Sequence, residues 1–100
     1  MLNPSHLLIA TQVCTDNQAQ KLEDYAACAC AIQNLALSLV ADGVGCKWST
    51  GKITKDPNTY QIAGINPGEE EIIGFIWIGY GNEPPLIDRP LISTIYREKD

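Results

Sequence analysis

The stretch "QAQKLEDYAACACAIQNLALSLVADG", Gln18 to Gly43, decides the fold. It is dominated by Ala, Leu, Gln, Lys and Glu, all good helix formers. Asp16 or Asn17 stands where an N-cap is needed, and Gly43 where a left-handed residue can end the helix. About 25 residues at 1.5 Å rise give a rod of roughly 36 Å. Its charges gather in the first two turns, at Lys21, Glu23 and Asp24. Beyond Tyr25 only Gln33, Asn34, Ser38 and Asp42 are polar. A helix apolar almost all round belongs in an interior, so the pattern predicts a central helix buried on several sides. Its many alanines allow another backbone to approach closely.

Upstream, "HLLIATQV" (His6 to Val13) is short and apolar and predicts a buried strand. Downstream, "GVGCKWSTG" (Gly43 to Gly51) packs three glycines, two hydroxyls, Lys47 and Trp48 into nine positions and predicts a glycine-rich loop. Asp56 before Pro57 is a helix-start signal, predicting a short helix over Pro57 to Ala63. "NPGEEE" predicts a turn, with Glu69, Glu70 and Glu71 as a solvated acidic cluster. "EIIGFIWIGYG" (Glu71 to Gly81), rich in Ile and aromatics and bounded by glycines, predicts a central strand buried on both faces, with Trp77 and Tyr80 in the core. The tail "NEPPLIDRPLISTIYREKD" begins extended because of its prolines. Its alternating "LISTIY" (Leu91 to Tyr96) predicts one further strand. No internal repeat is present.

The 100 residues, 45% hydrophobic and 19% charged, set the scale of a single globular domain. The net charge of −5 argues against a nucleic-acid surface, which needs basic residues to neutralise phosphates. Cys14, Cys28, Cys30 and Cys46 do not have zinc-site spacing, and buried free thiols are expected of them. No leading apolar segment with a cleavage site is visible, and no apolar run reaches the ~18 residues that span a bilayer. The expectation is a cytoplasmic protein with no membrane and no nucleic-acid partner. His6 is the only histidine and is expected at the solvent-facing start of a strand, so no Ser/His/Asp or Cys/His constellation exists and no catalytic side chain is assigned. Two or three strands are too few to cover so apolar a helix. The pattern therefore calls for an obligate oligomer or a missing segment.

The order of segments resembles the C-terminal half of the nitroreductase family of flavin enzymes. The resemblance is carried by "AIQNLALSLVADGVGCKWSTG" (Ala31 to Gly51), "EIIGFIWIGYGNEPP" (Glu71 to Pro85) and "DRPLISTI" (Asp88 to Ile95). It implies an α+β sandwich with a mixed sheet and a long buried central helix, in an interlocked homodimer that holds flavin mononucleotide (FMN) at the subunit interface. Residues 1–100 would form one partial domain. Residues 82–100 would be an extended tail packing on a partner subunit. By the same resemblance Trp48, Ser49 and Thr50 fall on the flavin-contacting loop; the residues themselves suggest that Gly43 and Gly45 turn the chain and give a ligand close approach, with backbone N–H groups from Lys47 to Gly51 as donors. Arg89 matches a tail arginine that pairs with the flavin phosphate, and Ser38 to Gly43 fall where some members contact the nicotinamide cofactor. The family's members are longer, and their N-terminal half carries an Arg-rich motif. Here the only arginines are Arg89 and Arg97.

The resemblance implies hydride transfer from NAD(P)H to FMN, and then reduction of a nitroaromatic, quinone or similar acceptor. The partner would be a second copy or a complementing N-terminal half, and no metal is implied. The alternatives are a non-catalytic remnant that serves as a dimerisation module, and a small thiol-redox or metal protein using the cysteines.

Overall fold

The apolar helix lies across one face of a three-stranded sheet. The computed structural model describes residues 2–81 and 88–99. In chain order these form β1 (Leu2–Val13), α1 (Gln18–Ala41), β2 (Gly45–Ser49), a 3₁₀ turn (Lys52–Lys55), α2 (Pro57–Ala63), β3 (Glu70–Gly81) and α3 (Ile92–Ile95). The sheet order is β1-β3-β2 and both ladders are antiparallel. The class is α+β as expected, and the parallel pairing of a mixed sheet involves no two of the described strands. The long strand β3 runs through the centre, as its Ile-rich sequence predicts.

Local chemistry sets the ends of α1. The Asn17 side chain accepts the Gln20 N–H at 3.0 Å, so Asn17 rather than Asp16 is the cap. At the other end Gly43 has φ +76°. Its N–H donates to the Val40 carbonyl, and the Val44 N–H donates to the Leu39 carbonyl, both at 2.9 Å. These two bonds form a Schellman motif, which requires a left-handed residue at the position of Gly43. The short helix α2 matches its predicted bounds. Asp56 caps it through the Asn58 N–H, and Gly64 ends it at φ +73°.

The core is small. Ile32 of α1 packs with Ile73 and Ile76 of β3, flanked by Ala10, Cys28, Leu35, Cys46, Trp48 and Ile78. Ile76, 1% exposed, is the most enclosed large side chain. Burying such a side chain contributes about 2 kcal/mol. A bulge in β3 shapes this core. Ala10 pairs with Gly74 but Thr11 pairs with Ile72, which leaves Ile73 as the extra residue. The bulge puts Ile73 in the same cluster as Ile76 despite the odd spacing between them. The N–H of Ile72 beside it donates to the Tyr60 hydroxyl at 2.8 Å, which ties α2 to the sheet.

Several expectations change. "GVGCKWSTG" is not a loop throughout: its centre is the edge strand β2, because Cys46 and Trp48 can pair with Ile78 and Ile76 of β3 and bury on the helix side. "LISTIY" forms no strand. No described strand pairs with it, and the Leu91 carbonyl accepts both the N–H and the hydroxyl of Thr94, closing the helical turn α3. Glu70 and Glu71 are half-buried in β3 rather than solvated, since Thr11 donates to Glu70 at 2.7 Å and Lys21 pairs with Glu71 at 3.4 Å. Tyr80 is exposed at the strand end and not in the core. The four free cysteines divide, with Cys14 and Cys30 exposed and Cys28 and Cys46 half-buried.

The helix itself is the largest departure. Only Ile32 of α1 is buried, while Leu22, Leu37 and Val40 are 71%, 59% and 63% exposed. Interior burial on several sides is therefore not supplied by the described residues. By length and composition α1 is sufficient to cross a bilayer, contrary to the sequence expectation. Core helices meet the same criterion, and one face of α1 packs on the sheet. His6 lies exposed near the start of β1, as predicted. Within the tail, residues 82–87 lie outside the described part, and residues 88–99 are exposed.

Two substitutions test this architecture. A Cβ at Gly74 would run into the Trp48 indole, so Gly74→Ala should cost about 3 kcal/mol from overpacking and the displaced ring, read as a lower urea midpoint. Tyr60→Phe leaves the buried Ile72 N–H without its acceptor and should cost about 1–3 kcal/mol in the same measurement.

Candidate functional site

A hollow lies where the first turns of α1, the end of β1, the start of β3 and the 3₁₀ turn converge. Its volume is about 780 Å³, within the range of sites for cofactor-sized ligands. Leu22, Tyr25, Ile72 and Ile73 give it apolar walls. Gln12, Gln18, Lys21, Thr50, Gly51, Lys52, Thr54, Lys55 and Glu71 give it polar ones.

Strand alternation explains which residues of the glycine-rich stretch reach this hollow. In β2 neighbouring side chains point to opposite faces. Trp48 faces α1: its indole N–H donates to the Ile73 carbonyl at 3.2 Å, and its ring lies 6.3 Å from that of Tyr25. Ser49 is on the other face, where its hydroxyl oxygen accepts the Trp77 indole N–H at 2.9 Å. Thr50 and Gly51 follow the strand and border the hollow. Gly51 has φ +129° and ψ −166°, a conformation essentially reserved to glycine. Its carbonyl accepts the Thr54 N–H at 3.1 Å and the Thr54 hydroxyl at 2.7 Å, closing the 3₁₀ turn.

That turn carries Lys52 and Lys55. In a 3₁₀ helix side chains three apart eclipse, so the two ammonium groups share one side. Lys21 adds a third positive charge but is paired with Glu71. Gln12, 5% exposed at the end of β1, has a buried side-chain oxygen with no hydrogen-bond partner among the described residues. Such an atom costs free energy unless something donates to it.

Of the residues singled out in the sequence, Thr50 and Gly51 are brought together at the hollow. Trp48 and Ser49 do not line it, and their hydrogen-bonding atoms are engaged within the fold. Gly43 and Gly45 sit at the helix end and in β2, where an added Cβ at Gly43 would meet open space. Arg89 is exposed, beyond the undescribed residues 82–87. Sequence reasoning missed Gln12, Lys21, Lys52, Lys55 and Tyr25. The one signal available was charge distribution, since three of the five lysines of an acidic chain converge here.

No family model matches the chain. It is similar to YfhC of Bacillus subtilis (strain 168), whose name describes an NAD(P)H nitroreductase: the two are 33% identical over 86 residues, covering 86% of this chain and 43% of that protein. It is also similar to the crystal structure of the nitroreductase-like family protein from Bacillus cereus, with TM-score 0.80 and 28% identity over 92% of this chain and 49% of that one. The chain thus spans about half the length of the relatives it matches. Over that half it has the nitroreductase-like fold, as the order of its segments implies.

The backbone at Gly51 offers a direct test of the site's frame. Gly51→Ala must leave the observed conformation or bear a strain of about 1–3 kcal/mol. A lowered urea midpoint and an altered environment of Trp48, seen in its fluorescence, are the expected outcomes.

Proposed function

We propose that this chain, similar to nitroreductases in sequence and fold over about half their length, is the FMN-binding part of an oxidoreductase that works as a dimer in the cytoplasm. The observation that carries the reading is the hollow beside Thr50 and Gly51. The end of the glycine-rich stretch that the resemblance links to flavin borders a cavity that combines cationic donors with apolar walls.

The residues present suit the group. A flavin presents ring carbonyl oxygens, a ring N–H, hydroxyls and a phosphate. Against these the hollow sets the amines of Lys52 and Lys55 and the Thr50 hydroxyl. Tyr25, Leu22 and Ile72 supply apolar surface for a planar ring. The chemistry the flavin brings is acceptance of a hydride from NAD(P)H and delivery of electrons to a nitroaromatic, quinone or similar acceptor. The protein's task is positioning and exclusion of water. Trp48 and the Ile73 bulge hold β2 in place. Gly51 turns the chain so that Thr50 and the two lysines border one space. No side chain is asked to move a proton.

A second copy is the proposed cover for α1. Leu22, Leu37 and Val40 are exposed side chains on a helix that already spends its other face on the sheet. Leu91, Ile92, Ile95 and Tyr96 of the tail are exposed as well and could pack on a partner.

FMN titrated into the purified full chain should show quenched flavin fluorescence, and sedimentation should give a dimer. Leu37→Glu with Val40→Glu should shift the protein to monomer and weaken FMN binding at least tenfold, because the site lies at the proposed interface. A monomer that ignores FMN would overturn the reading.

A further inference from the structure

We infer that Tyr60, acting with Trp48, is a positioning residue for Thr50 and Gly51: the two side chains take over the role of β2 where the chain leaves the sheet. The inference deepens the flavin reading above and rests on it only for the identity of the ligand.

The ladder between β2 and β3 runs from Gly45 opposite Gly79 to Ser49 opposite Phe75. Strand β3 extends further, and from Gly74 to Glu70 its partner among the described strands is β1 alone. A strand with one neighbour has peptide groups left over on its other side. Here they are enclosed, since Ile72 and Ile73 are 4% and 8% exposed. Enclosed N–H and C=O groups need partners. Two side chains supply them. The Trp48 indole N–H donates to the Ile73 carbonyl, and the Tyr60 hydroxyl oxygen accepts the Ile72 N–H.

These two side chains stand at opposite ends of the segment that borders the hollow. Trp48 is the last residue but one of β2, Tyr60 belongs to α2, and Thr50, Gly51 and the 3₁₀ turn lie between them. The segment is therefore pinned at both ends to adjacent residues of β3. Within it the Gly51 carbonyl accepts the Thr54 N–H and hydroxyl, and Thr54 is 5% exposed. A loop fixed at both ends and braced inside has one place to put Thr50 and Gly51.

Tyr60 is the informative member of the pair. Trp48 also occupies the space over Gly74, so replacing it disturbs the core. The Tyr60 hydroxyl is a single polar group, and Tyr60→Phe removes the grip while keeping the ring. Tyr60 does not line the hollow. An effect of this substitution on a ligand held there is carried by the loop.

The experiment compares the full chain with Tyr60→Phe and with Ile32→Val, which thins the core under α1 away from the loop. Urea midpoints, the amide NMR resonances of Thr50 and Gly51 without ligand, and FMN affinity are measured for each. Both variants should have lower midpoints. Only Tyr60→Phe should move the Thr50 and Gly51 resonances, and it should weaken FMN at least tenfold where Ile32→Val stays within about twofold, because misplaced contacts are costly in affinity. Hydrogen exchange in the unaltered chain gives a second reading that needs no variant to fold. The Ile72 N–H, held by Tyr60, and the Thr54 N–H, held by Gly51, should open as one unit, with protection equal within about threefold.

Resonances of Thr50 and Gly51 that stay in place in Tyr60→Phe, or that move equally in Ile32→Val, overturn the inference and leave the flavin reading untouched. So does FMN affinity unchanged by Tyr60→Phe, or unequal protection of the two amides. If the unaltered chain binds no FMN while Tyr60→Phe alone moves the two resonances, the flavin reading falls and the positioning role stands.

Discussion

The contact between the Trp48 indole and the backbone at Ile73 and Gly74 governs the rest of the molecule. Only a residue without a Cβ lets the ring lie against β3 at this point, and the indole N–H finds its acceptor in the carbonyl of the bulged residue. The bulge turns Ile73 into the cluster with Ile32 and Ile76, so one irregularity serves both the core and the tryptophan. With Trp48 seated, alternation sends Ser49 to the opposite face, where it receives the Trp77 N–H. The chain then leaves the strand at Thr50 in the direction that forms the hollow. The tryptophan in this glycine-rich stretch thus has a structural role: the ring is a peg that fixes β2 on β3.

Much of the fold was legible because its signals are local. Helix α1 follows from composition and its end from Gly43. Helix α2 follows from Asp56-Pro57 and Gly64. Strand β3 follows from a run of β-formers between glycines. The misreadings share one cause, dependence on partners distant in sequence. Whether "GCKWS" is loop or strand depends on a ladder with residues about 30 positions away, which no local pattern encodes. Glu70 and Glu71 look solvated until Thr11 and Lys21 arrive from β1 and α1. "LISTIY" alternates as a strand would, yet alternation has no meaning without a neighbouring strand.

The site divides along the same line. Thr50 and Gly51 belong to a recognisable stretch, and both border the hollow. Gln12, Lys21 and Lys55 are unremarkable in sequence and acquire a role only when folding brings three elements together. Lys52 and Lys55 are separated by two residues, a spacing that reads as scattered charge in a loop and as a pair on one side in a 3₁₀ turn. The backbone conformation of Gly51 is what converts the first case into the second.

The exposed face of α1 and the unpaired oxygen of Gln12 are two forms of one imbalance. Each is a group whose burial or bonding this chain leaves incomplete, the first apolar and the second polar. Covering a leucine or valine side chain contributes about 1.5–3 kcal/mol, and satisfying a buried acceptor recovers about 1–3 kcal/mol. A domain with so few enclosed side chains has little stability of its own, so both terms are large beside what the core provides. Anything that binds the folded form alone stabilises it by mass action. On the proposed reading, partner and ligand both do so, and Leu22 and Tyr25, which line the hollow from the N-terminal half of α1, connect the two. Folding, assembly and ligand binding in this chain are then linked equilibria, joined along a single helix.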